Sequence, residues 1–336
     1  MKNTLKRLSF MGKELSVETD AESSDPVSES IRNGIMPVEE QLFNLFPNQN
    51  GTFLDLGANI GAFCLSFASQ GWNGFCFEAS SKNASLLKNS INHNNFDIKV
   101  FETAVYSKTG KIYFVQNGPF GFIPNDVHKD MQYERIDCVS LDDWMQSEKI
   151  KEITLIKIDI EGSEVYALRG MRQFLNTFGY PPIFMEINAF SLCLQNETPL
   201  SLLTLAKNIG YNAYELIDDK LHPVSPNRFQ LVAYTDYFLI HGEPPIQWLD
   251  KIAEPRIFSD KQVIDALVEQ LSNPSKWDHH TPYFCYTLKD FPNYYKNPQI
   301  KEFLSDFAMG KYKNSLPSEY IEELLKKNLT WFLRKM

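Results

Sequence analysis

The sequence predicts an α/β protein: a doubly wound, seven-stranded, mostly parallel sheet with an antiparallel last strand, followed by a helical C-terminal appendage. Three observations predict it. The apolar run Phe53-Leu54-Asp55-Leu56 ends in a glycine turn, Gly57-Ala58-Asn59-Ile60-Gly61, that opens a helix. A second apolar strand, Phe75-Cys76-Phe77, ends in Glu78, 23 residues after Asp55. A β-branched run from Thr154 to Ile160 carries Asp159 at its end and turns at Glu161-Gly162-Ser163. Strands alternating with helices in this way build βαβ units and hence a parallel sheet.

Each element follows in order. Residues 8–19 read as a hairpin turning at Gly12-Lys13, and polar residues 20–37 as a loop. Val38, Leu42, Leu45 and Phe46 have helical spacing, which Pro47 ends. Strand 52–56, helix 60–70, strand 74–78, helix 82–94 and strand 98–102 make the first half of the sheet. Residues 111–116 add a strand, and 117–133 form a loop too long for a plain connector. The second half is strand 154–160, a helix to about Phe178, strand 183–187, helix 199–209 and strands 213–217 and 237–240. The last two strands have no helix between them, so they are antiparallel, joined by a loop at 218–230. After Gly242-Glu243-Pro244-Pro245 the pattern turns helical, at 260–271, 298–308 and 317–333. The expected division is 1–50 leading in, 51–243 as the ligand-binding domain and 244–336 as the appendage.

Composition narrows the function. Net charge is −9, with no long Lys/Arg run, so a nucleic-acid partner is not expected. Five scattered cysteines without a CxxC read as reduced residues of a cytoplasmic protein. No window has the roughly 18 apolar residues of a membrane span.

The turn and the spaced acid mark a site for a nucleoside-bearing cofactor. A dinucleotide wants G-x-G-x-x-G, but Asp55-x-Gly57-x-x-x-Gly61 lacks the middle glycine. An acid at the strand tip repels a pyrophosphate and favours the sulfonium and ammonium of S-adenosylmethionine.

With these residues in view, the chain resembles the FkbM-like S-adenosylmethionine-dependent methyltransferases. The likeness rests on 54–61 and, more specifically, on Lys157-Ile158-Asp159-Ile160-Glu161-Gly162-Ser163-Glu164. Phe77-Glu78-Ala79, Asn83, the asparagines of 89–95, Glu102-Thr103-Ala104-Val105 and Phe184-Met185-Glu186-Ile187 support it. It covers about residues 25–242, with Ala79 where the family usually has proline. It implies a Rossmann-like class I methyltransferase fold, sheet order 3-2-1-4-5-7-6, and O-methylation of hydroxyls on sugars, glycans or natural products. The expected acceptor is thus a small molecule or glycan.

On this reading Asp55 and the Gly57, Ala58, Asn59 and Gly61 turn hold the methionine end of S-adenosylmethionine. Glu78 takes the ribose hydroxyls, and Thr103 and Ala104 lie beside the adenine. Asp159 and Glu186 end neighbouring strands, Glu161 follows Asp159 by two residues, and the three are the candidate catalytic acids. A divalent cation on such a pair, with Asn188 as a further oxygen ligand, is an alternative that is not favoured. Glu164 reads as a helix cap, and His128 as a loop histidine. Aromatic residues 277–295 read as packing for the appendage, with sugar stacking as the alternative. The appendage covers the acceptor entrance or forms a homodimer contact. Two other functions stay open: a binding module without turnover, and a nicotinamide-dependent oxidoreductase.

Overall fold

The computed structural model describes residues 3–47, 50–115, 121–124, 132–224, 234–271, 296–309 and 311. It opens with a hairpin, β1 (Asn3–Phe10) and β2 (Lys13–Asp20), whose two-residue turn has positive φ at Met11 and Gly12. Alternate residues Leu8, Phe10, Leu15 and Val17 are buried. The following stretch, expected to be a loop, contains helix α1 (Pro26–Arg32). Asp25 caps it by accepting the Ser28 N–H at 2.8 Å, and Pro26 starts it. The helix expected to end at Pro47 is instead a 3-10 turn over Glu40–Leu45.

The core then follows the predicted alternation: β3 (Thr52–Leu56), α2 (Ala62–Ser69), β4 (Asn73–Phe77), α3 (Ser81–Asn94) and β5 (Ile98–Phe101). Every residue of β3 is buried, as befits a central parallel strand covered on both faces. The hairpin docks on α3: the Ser16 and Glu18 N–H groups donate to Asn94 Oδ1 at 2.9 Å and Ser90 Oγ at 2.8 Å.

A small sheet interrupts the alternation. It contains β6 (Ala104–Val105), β7 (Gly110–Phe114) and β8 (Glu134–Val139), with β8 central. Beyond it come α4 (Leu141–Trp144), β9 (Leu155–Ile158), α5 (Glu164–Arg169), α6 (Arg172–Thr177), β10 (Ile183–Asn188), α7 (Ala189–Leu194) and α8 (Pro199–Ile209). The helix expected to run to Phe178 is therefore two helices, broken around Gly170. The main sheet closes with β11 (Tyr211–Ile217), β12 (Lys220–Pro223) and β13 (Tyr234–His241).

Its order is β12-β11-β13-β10-β9-β3-β4-β5. Apart from β12 this is the order expected, and β13 is antiparallel to both neighbours. The expected count of seven strands is corrected to eight. Asp218 and Asp219 both have positive φ, giving the tight hairpin turn that sends the chain back as β12 with Leu221 buried. Aspartate reaches that conformation more readily than most residues, and the pair read as loop because no glycine marked it.

Beyond β13 the structure describes helices α9 (Asp260–Leu271) and α10 (Pro298–Ala308). The helix expected over 317–333, the aromatic stretch before Lys296 and His128 lie outside the described residues. Packing does not stop at Gly242. Trp248 is buried against Phe46 and Phe238 and donates Nε1–H to the Leu45 carbonyl at 2.8 Å. Ala253 N–H reaches the Leu221 carbonyl at 3.0 Å. Cys64, Cys76 and Cys138 are buried free thiols.

Candidate active site

The strand-end turns of β3, β4, β9 and β10 border one cleft that opens to solvent. Ligands in open α/β sheets bind at these carboxyl ends, where the strand order reverses. Here the reversal falls between β3 and β9.

Glu78 forms the polar anchor. It ends β4, is 8% exposed and lines the cleft. Its two oxygens accept the Asn59 N–H at 2.7 Å and the Ser80 N–H at 2.8 Å. One carboxylate thus ties the glycine turn after β3 to the turn before α3. Burial lifts its pKa to about 7, against the pull of those two donors. Around it lie Gly57, Asn59, Thr103 and Ala104, all expected, and an apolar wall of Phe77, Val105, Phe122 and Ile123. The Thr103 hydroxyl donates to the Asp137 carbonyl at 2.9 Å.

Three expected residues are placed elsewhere. Asp55 lies fully buried beneath the turn, grouped with Cys64 and Cys76, and does not line the cleft. It sits within the strand, one residue short of the end, so its side chain enters the core. Ala58 is buried, and its N–H bonds to the Phe77 carbonyl. Gly61 starts α2 with φ +100°, and a Cβ there would meet Leu87 at 2.5 Å. Ala58 and Gly61 therefore shape the turn from below.

Lys157, whose role the sequence reading missed, organises the floor. It is a lysine in an otherwise apolar central strand, which was the available signal. Its ammonium donates to the Gly57 carbonyl at 2.8 Å and pairs with Asp159 at 3.0 Å and Asp55 at 3.5 Å. Burial opposes its charge, but the two aspartates hold its pKa above the usual lysine value. Burial pushes the Asp55 carboxyl up, partly offset by Lys157.

Asp159, Glu161 and Glu186 converge at the far rim. Glu161 has φ +50°, which a non-glycine residue adopts only under local constraint. Its Oε2 accepts the Ser191 hydroxyl at 2.8 Å and an Asn188 amide N–H at 3.4 Å. The Asn188 side-chain amide oxygen, Oδ1, accepts the Ser191 N–H, so Asn188 steadies Glu161 and is not drawn up as a ligand. Glu164 braces the 160–163 turn through the Ile160 and Gly162 N–H groups, as a cap should. A Cβ on Gly162 would sit 2.1 Å from the Ser191 carbonyl, so this turn needs glycine.

Burial raises Glu161 to about 8 and Glu164 to about 7, from a usual 4.5, and lifts Glu186 well above it. A carboxyl raised in the folded state holds its proton more tightly there than in the unfolded chain. Its stabilisation is complete below pH 4.5 and lost as pH rises through 7 to 8. The urea midpoint of the ligand-free protein is expected to fall between about pH 5 and 8. Each retained proton contributes about 1.4 kcal/mol per pH unit. Glu161→Gln should flatten the upper end of that curve; a midpoint that rises with pH contradicts this electrostatic picture.

A family model described as the methyltransferase FkbM domain matches residues 55–212. The matched stretch, a little under half of the chain, is similar to that domain. No curated protein matches the chain. Among solved structures, it is similar to methyltransferase FkbM from Methylobacillus flagellatus KT at 20% identity. That match covers 56% of this chain and 43% of the other, with TM-score 0.37. It is similar to the T. thermophilus 16S rRNA N2 G1207 methyltransferase, in complex with AdoMet and guanosine, at 13% identity. Coverage there is 72% of this chain and 51% of the other, with TM-score 0.38. A putative methyltransferase from Escherichia coli matches at 12% identity over 72% of this chain and all of that one, with TM-score 0.36. The chain spans about half the length of the first two, or less. Among the described residues, no helix is long and apolar enough to cross a membrane.

Proposed function

We propose that this protein transfers a methyl group from S-adenosylmethionine to a hydroxyl of a carbohydrate, glycan or natural product. The observation that carries the reading is Glu78: a braced carboxylate at the end of the second parallel strand, facing a cleft with an apolar wall. A carboxylate there accepts two ribose hydroxyls, and the apolar wall suits an adenine ring. The Gly57–Asn59 turn offers backbone beside the same cleft. When bound, S-adenosylmethionine supplies an electrophilic methyl group; the chain's own residues supply position and proton handling.

The acid rim lies beyond the cofactor half of the cleft and is the acceptor side on this reading. Glu161, held in place by Ser191, sits where the incoming hydroxyl gives up its proton. Glu186 and Asp159 flank it and fix where that hydroxyl lies. Net charge of −9 supports an acceptor other than nucleic acid.

S-Adenosylmethionine or S-adenosylhomocysteine at a hundredfold excess over Kd is expected to stabilise the protein by about 2.7 kcal/mol, whereas NAD has no effect. Glu78→Gln should weaken S-adenosylhomocysteine binding by about 1–3 kcal/mol in calorimetry. Equal stabilisation by NAD overturns the cofactor assignment. Transfer of labelled methyl to a panel of hydroxyl acceptors tests the reaction.

A further inference from the structure

We propose that Asp159, Glu161 and Glu186 together bind one hard divalent cation, of the Mg²⁺, Mn²⁺ or Ca²⁺ class, at the acceptor end of the cleft. The three side chains come from the end of β9, the turn after it and β10. Each offers an oxygen within 4.8 Å of the other two. A cation with bonds of about 2.1–2.5 Å fits among such oxygens. The set contains no nitrogen or sulfur, which favours these ions over zinc or copper.

A second observation points to a ligand. Glu186 is only 4% exposed, and its buried Oε2 has no hydrogen-bond partner although the residue lines the cleft. A buried carboxylate oxygen left without a donor is costly, and a cation beside it removes that cost. Lys157 does not serve this purpose: its ion pairs are with Asp159 and Asp55. The single Lys157 ammonium is already shared between Asp159 and Asp55, so the rim acids outnumber the cations beside them, an excess that one divalent ion offsets.

The site is also supported from behind. Ser191 and Asn188 hold Glu161 from outside the cluster, as groups around metal ligands do. Three protein ligands leave coordination positions facing the cleft, open to water or to the oxygens of a polyhydroxyl acceptor. A hydroxyl bound there becomes more acidic. That last step rests on the proposed methyl transfer; ion binding itself does not.

The test uses the full chain stripped of metal, with neither cofactor nor acceptor present, titrated with Mn²⁺ and followed by electron paramagnetic resonance. One Mn²⁺ per chain is expected, with Kd of about 10⁻⁵–10⁻³ M, displaced by excess Mg²⁺ or Ca²⁺. Asp159→Asn and Glu186→Gln should each weaken binding about tenfold or more. Circular dichroism and the urea midpoint show whether each variant is folded, and Glu161→Gln replaces one that is not. No Mn²⁺ bound below about 1 mM, or unchanged binding in the folded variants, overturns the proposal. Intact Mn²⁺ binding without methyl transfer to any acceptor counts against the proposed function alone.

Discussion

Gly57→Ala is expected to cost about 2–5 kcal/mol of stability and to abolish ligand binding in the cleft. Two effects combine at this position. A Cβ at Gly57 would lie 1.8 Å from the Asp159 carbonyl oxygen, which is main chain and cannot swing aside. The ends of β3 and β9 would have to part, and forcing atoms into a packed interior costs about 1–3 kcal/mol. Gly57 also has φ +83°, where an L side chain adds about 1–2 kcal/mol. The turn that moves carries Asn59, whose N–H holds Glu78. Urea unfolding and S-adenosylhomocysteine calorimetry measure the two consequences. A folded Gly57→Ala protein with normal affinity would mean that the β3–β9 contact yields without disturbing the cleft.

Lys157→Met is expected to destabilise the protein by about 3–5 kcal/mol, because it strands the buried Asp55 carboxylate without its cation. It also releases the Gly57 carbonyl and removes the partner of Asp159. Adding Asp55→Asn to Lys157→Met should recover much of the loss, since the uncompensated charge is then gone. Chemical denaturation of the two single variants and the double variant forms the cycle. If the two losses simply add, Asp55 and Lys157 are not coupled and this account of the floor fails.

The sheet was legible because its signals are local and redundant. The buried runs of β3 and β9 cannot sit anywhere but the middle of a covered sheet. The place of Glu78 at the cleft was legible from its position as an acid closing an apolar strand. Asp55 was misplaced because a sequence shows how near a residue is to a turn, not which way its side chain points. One residue separates it from Gly57, and that residue decides between cleft and core. Lys157 escaped because its partners, Asp55 and Gly57, lie about a hundred residues away in sequence. The α1 helix was signalled by Asp25-Pro26 but hidden among serines and acids that read as loop. β12 depended on two aspartates taking a conformation that glycine more often marks.

The Trp248–Leu45 hydrogen bond joins positions 203 residues apart. It fastens the chain beyond the last sheet strand to the turn that precedes the first. During synthesis Phe46 can meet Trp72 early, but the side of its ring that Trp248 covers stays open until that residue has emerged. Contacts of such long sequence separation slow folding, because the loop must close before its contacts are gained. The same clasp means that a nascent chain released before Trp248 keeps every strand among the described residues yet exposes an aromatic seam to other chains, a vulnerability of manufacture rather than of the finished fold.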